Sequence, residues 1–105
     1  MKKLTVNDAK KVADAVIAAM RAKHGKRNNY DRLCYREDGE LSVAIEIADD
    51  AEGKKIPRKV VSELKAEMKR MGCLHCESID VVGDQMPHDV ALTRVYSVLA
   101  EGKQD

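Results

Sequence analysis

The chain has 105 residues, of which 44% are hydrophobic; three tyrosines are its only aromatics, and its formal net charge is +1. That length predicts one domain spanning 1–105, able to bury roughly 65% of its unfolded surface without staples. The longest apolar run, Ala15 to Met20, is too short for a membrane-crossing helix, and the basic start MKKLTVNDAKK has no apolar stretch behind it to make a signal peptide. Three cysteines in no framework spacing predict reduced thiols and a cytoplasmic location.

Charge is unevenly placed along the chain. Residues 1–32 carry +6, residues 33–53 carry −6, residues 54–71 carry +5 and residues 72–105 carry −4. Each boundary falls near a change of element.

The first element is a helix from Thr5 to Lys23. Thr5 with Asp8 three residues on suits a capping box, and Gly25 suits the stop. Val6, Ala9, Val12, Ala13, Val16, Ile17 and Met20 recur at helical spacing and form the core stripe. A second stripe of Ala15, Ala18, Ala19 and Ala22 follows from alanine's helix propensity alone; its other reading is a close-packing surface for a second subunit.

After the polar loop Lys26–Asn29 comes a β-hairpin. Leu41, Val43, Ile45 and Ile47 alternate with Ser42, Ala44 and Glu46, the period of a strand with one dry face. Leu33 and Tyr35 alternate with Arg32, Cys34 and Arg36. A three-residue loop, Glu37-Asp38-Gly39, would pair Arg36 with Glu40, Tyr35 with Leu41 and Leu33 with Val43. That register places every large apolar side chain on one face. The other face would then show Tyr30, Arg32, Cys34, Ala44 and Glu46.

A charged loop, DDAEGKK over residues 49–55, leads to a helix from Pro57 to Met71, with Pro57 in the first helical position. Val60, Val61, Leu64, Met68 and Met71 face the core, and Arg58, Ser62, Lys65 and Lys69 form a basic row opposite. Leu74 to Val82 reads as a strand whose alternation changes phase, which predicts a bulge near Glu77-Ser78. Gly83 to Asp89 is a loop containing Pro87. Val90 to Leu99 is rich in β-branched residues and reads as a fourth strand; Leu92, Val95, Tyr96 and Leu99 also have helical spacing, and a helix there would leave a three-stranded sheet. The predicted fold is α+β, in the order αββαββ: a mainly antiparallel four-stranded sheet with two helices on one face. This is the element order of a ferredoxin-like unit with its first strand moved to the end, an analogy of architecture that carries no function.

Few residues suggest chemistry. Cys73 and Cys76 have the two-residue gap of a zinc knuckle, but only His88, Cys34 or His24 could complete a tetrahedron, and none stands at a diagnostic spacing. The pair follows a helix C-terminus, the wrong polarity for lowering a thiol pKa. Small half-buried hydrophobes at a strand start is the plainer reading, and no cofactor is predicted. Acids fall in turns and on strand exteriors, no Ser, His and Asp set can be placed, and the glycines read as turns or caps rather than a phosphate loop. An enzyme is not predicted.

Two binding classes remain. Lys10, Arg21, Lys23, Lys26 and Arg27 can join Arg58, Lys65 and Lys69 in a basic helix surface for nucleic acid. Against this, the net charge is near zero and the sheet is expected to lack aromatic pairs for stacking bases. The favoured class is a small non-catalytic module that binds another protein, or itself as a homodimer, through the open sheet face, with Tyr30 and Arg32 among its contacts. Stoichiometric inhibitors and accessory factors of phages and mobile elements are chains of this kind.

Overall fold

The computed structural model describes residues 3–25, 28–49, 56–81 and 92–101. The elements run α1 (Val6–His24), β1 (Asn28–Glu37), β2 (Glu40–Asp49), α2 (Arg58–Arg70), β3 (Cys73–Val81) and β4 (Leu92–Leu99). The αββαββ order therefore holds.

Helix α1 begins where its capping box closes. The Asp8 N–H donates to Thr5 Oγ1 at 3.1 Å, and the Thr5 N–H donates to the Asp8 carboxylate at 2.8 Å. It ends at Gly25, which takes φ 68° while its N–H donates to Arg21 O at 2.7 Å. Ala9, Ala13, Val16, Ile17 and Met20 are its buried stripe. Helix α2 starts one residue later than expected: Pro57 is extended at ψ 141° and caps the helix from outside it, its carbonyl accepting from Val60 and Val61. Leu64 and Met68 are fully buried, with Val60, Val61 and Met71 packed around them.

All strand pairs are antiparallel, in the order β1-β2-β4-β3. Residues 92–99 pair with both β2 and β3, so the fourth segment is a strand and the helical alternative fails. Its side chains alternate: Thr93, Val95, Ser97 and Leu99 point to the core, while Leu92, Arg94, Tyr96 and Val98 point away. Both helices cover one face, and the core lies between them and Leu41, Val43, Ile45, Ile47, Cys73, Val95 and Leu99. The buried Ser97 hydroxyl is satisfied by donating to Val43 O at 2.7 Å.

The hairpin register differs from the expected one. Glu37 pairs with Glu40, Cys34 with Val43 and Leu33 with Ala44. The reason lies in the turn. Asp38 has φ 52° and Gly39 φ 80°, so both central residues are left-handed. That is the two-residue turn whose twist matches the flanking strands, and Asp tolerates it because its side chain is short and polar. One residue fewer in the loop shifts the pairing by one and turns β1 over. Strand β2 keeps its predicted phase. Tyr30, Arg32, Cys34 and Arg36 now lie on the covered face, and Leu33 and Tyr35 on the open one; Leu33 is 61% exposed. Strand β1 permits this because it lies at the sheet edge. Its long polar side chains reach past α1: Arg32 Nε donates to Asp14 at 2.7 Å, and Arg36 donates to Glu101 at 2.7 Å and to Leu4 O at 2.8 Å.

The bulge in β3 lies two residues earlier than the phase change suggested. Leu74 pairs with Val98 and Glu77 with Tyr96, so His75 and Cys76 together oppose Ser97. His75 takes φ 56° to make the extra residue fit.

Candidate functional site

The open face of the sheet follows from the register. Leu33 and Tyr35 stand on β1, Ser42, Ala44 and Glu46 on β2, Arg94, Tyr96 and Val98 on β4, and Leu74, Glu77 and Ile79 on β3. The large hydrophobic side chains most exposed to water are Leu33, Leu74 at 48% and Ile79 at 51%. All three belong to this face.

A polar chain crosses its middle. Arg94 Nε donates to Glu46 Oε2 at 2.9 Å, and Arg94 Nη1 donates to the Tyr96 hydroxyl at 2.9 Å. The guanidinium also lies 5.8 Å from the centroid of the Tyr96 ring. The hydrogen bonds to Tyr96 and Glu46 raise the Arg94 pKa, which holds the guanidinium in its charged form. With Glu46 neutralised by Arg94, the remaining charges of the face among the described residues are the acids Asp31, Glu37, Glu40 and Glu77. A hollow of about 160 Å³ opens where β2 carries small residues, lined by Tyr35, Ser42, Ala44, His75, Tyr96 and Val98.

The helix side is opposite in sign. Lys10, Lys11, Arg21, Arg58, Lys59 and Lys69 are exposed there. Glu67 pairs with Lys23 at 3.2 Å and with Arg70, Asp14 pairs with Arg32, Glu63 shares a hydrogen bond with His24 at 2.6 Å, and Asp8 is held in the helix cap. Among the described residues the exposed cations thus stand mainly on the helices and the unpaired acids of the open face on the strands.

The sequence-predicted site residues fall in three places. Arg58, Lys65 and Lys69 form one row on α2, and the charges of Lys69 and Lys65 act on the Cys76 thiol of β3. Tyr30 and Arg32 do not reach the open face. They line a second groove of about 250 Å³ between α1 and β1, together with Asp14, Ala18, Arg21 and Asp31. There the Arg21 guanidinium sits 5.8 Å from the Tyr30 ring centroid, and burial pushes the Tyr30 hydroxyl up in pKa. Cys73 and Cys76 do not converge: Cys73 is sunk in the core, and the Cys76 Sγ turns back to Cys73 O at 3.8 Å. Burial raises both thiol pKa values, which disfavours the thiolates a metal needs. His88 lies outside the described residues. Among the described residues no three His, Cys, Asp or Glu side chains gather as a metal site, and no helix is long and apolar enough to cross a membrane.

Leu33, Tyr35, Leu74, Ile79 and Tyr96 were not among the sequence candidates. For Leu33 and Tyr35 the signal is Asp38-Gly39, a dipeptide that favours the two-residue turn and so turns β1 over. Tyr35 and Tyr96 stand on β1 and β4, separated by β2. Compared with protein-family models, curated proteins and solved structures, the chain finds no match. The functional reading rests on the geometry and chemistry of this face.

Proposed function

We propose that this chain is a non-catalytic module that binds a partner protein on the open face of its sheet. The observation that carries this reading is that Leu33 at one edge of the sheet and Leu74 and Ile79 at the other are exposed on the same face, the one that neither described helix covers. Exposed apolar side chains interspersed with charge are a feature of protein interfaces. The unpaired charge of the face is acidic, through Asp31, Glu37, Glu40 and Glu77, so the partner carries Lys or Arg beside apolar side chains. The same acids disfavour a self-paired dimer through this face, because a two-fold contact sets each acidic edge near its own copy. A stoichiometric inhibitor or accessory factor, such as phages and mobile elements carry, fits this description.

Nucleic acid is the second reading, and the exposed basic row of α2 favours it. Phosphates would meet Arg58, Lys65 and Lys69 and avoid the acidic sheet.

One experiment separates the two. Tagged chain captures partners from lysate, with and without nuclease, as wild type, as the double variant Leu33→Asp with Ile79→Asp, and as the triple variant Arg58→Ala, Lys65→Ala and Lys69→Ala; capture that nuclease abolishes and the triple variant lacks supports nucleic acid. Loss of the captured protein in the first variant and its retention in the second is the expected result. Retention in the first with loss in the second moves the site to the helices. Light scattering that shows a dimer dissolved by Leu33→Asp replaces the foreign partner with a second copy.

A further inference from the structure

The relief of the open face follows from side-chain size along its strands. On β2 the outward residues Ser42 and Ala44 are small, whereas Tyr35 on β1 and Tyr96 and Val98 on β4 are large. The small residues form the floor of the hollow, the large ones its walls, and His75 lines it beside the β3 bulge. One wall is fixed in advance, since the Tyr96 hydroxyl accepts from Arg94, which Glu46 holds from the other side. His75 sits in a left-handed conformation that a side chain rarely adopts, the kind of local strain that collects at binding sites.

The hollow's volume of about 160 Å³ decides what it can take. An apolar cavity of about 150 Å³ accepts a molecule the size of benzene, so the hollow suits one side chain rather than a chain segment. Its own cation, Arg94, already occupies the Tyr96 face and the Glu46 carboxylate, which leaves little for a second cation to bind inside. Charge acts around it instead, through Asp31, Glu37, Glu40 and Glu77.

We infer that the hollow over Ser42 and Ala44 is an anchor socket for one aliphatic or thioether side chain of the partner protein, flanked by lysine or arginine. This rests on the reading of the open face as the protein-binding surface and adds which partner residue carries the affinity. Interfaces concentrate their energy in a few side chains seated in pockets, and a wall held in place beforehand lowers the ordering cost of binding.

The test titrates the full-length, isotope-labelled chain with a set of short synthetic peptides and follows backbone amide shifts. Each peptide has two lysines, glycine, a central residue, glycine and two lysines, with leucine, methionine or serine in the centre. The leucine and methionine peptides are expected to shift Ser42, Ala44, His75 and Tyr96 and to bind about tenfold more tightly than the serine peptide, a ratio that partial burial of one aliphatic side chain supplies. Ala44→Leu fills the hollow from its floor and should bring the three peptides to equal affinity. Ser42→Leu is a second filling variant, should the first disturb the sheet. Equal binding of all three peptides to the open face of the wild type overturns the socket while leaving the face as the protein-binding surface. Shifts confined to α1 and α2, or none, overturn both.

Discussion

One sheet here presents two faces made from the same strands. On the covered face Leu41, Val43, Ile45 and Ile47 are wholly withdrawn from water, and the two helices close over them. On the open face Leu33, Leu74 and Ile79 remain about half exposed, set among Tyr35, Tyr96 and unpaired acids. The first arrangement removes apolar area from water during folding; the second leaves it there. A side chain that stays half exposed contributes little to the folded state; under the proposed function a partner protein covers it. The same division holds for charge. The helix layer holds Glu67 and Asp14 in ion pairs and shows its cations outward, while the open sheet shows its acids.

The comparison breaks first on stability. Ile45→Ala removes a fully buried side chain and should cost about 2–5 kcal/mol in urea unfolding, whereas Leu33→Ala should stay within about 0.5 kcal/mol. Comparable losses at the two positions would mean that both faces are core. A smaller effect tests the turn that decides which side of β1 is which. Gly39 has φ 80° and open space around its missing Cβ, so Gly39→Ala meets strain rather than a clash and should cost about 1 kcal/mol. An unchanged unfolding midpoint would reject the left-handed turn and with it the register that exposes Leu33.

The smallest effect concerns charge on the covered side. Glu67 is shielded by its own helix and by two cations rather than sunk in the core, and hydrogen bonds from Arg70 and Lys23 hold its carboxyl below the ordinary value of 4.5. A lowered folded pKa means that its stabilising contribution is complete above that ordinary value and is lost as pH falls through the folded one. The stability difference between wild type and Glu67→Gln should therefore be present at about pH 7 and shrink by about pH 3. A difference that does not change with pH would remove the ion pairs from the account of the helix layer.

Much of this arrangement was legible in the residues. The cap at Thr5 and Asp8, the stop at Gly25, the stripes of both helices and the alternation of β2 are local patterns, and each maps onto the structure within a residue or two. The bulge in β3 was also readable as a change of phase. The open face was less so. Strand β1 has no strong alternation: Tyr30, Arg32 and Cys34 are no more apolar than Asp31, Leu33 and Tyr35 taken together. Its phase could not be read from its own residues, and the assumed loop, one residue too long, put Tyr30 and Arg32 where Leu33 and Tyr35 belong.

The sequence by itself determined the first five elements, their order and the buried side of α1, α2 and β2, because periodicity and capping are properties of neighbours along the chain; it left the last segment open between strand and helix, which pairing with β2 and β3 decided. Only the tertiary structure decided which side of β1 faces the helices, since that depends on the backbone of Asp38 and Gly39 and on whether α1 can let arginines pass its edge. It alone also set β4 between β2 and β3. That insertion brings Tyr96 and Arg94 beside Ala44 and Glu46 and forms the hollow, a contact between residues some fifty positions apart that no local pattern encodes.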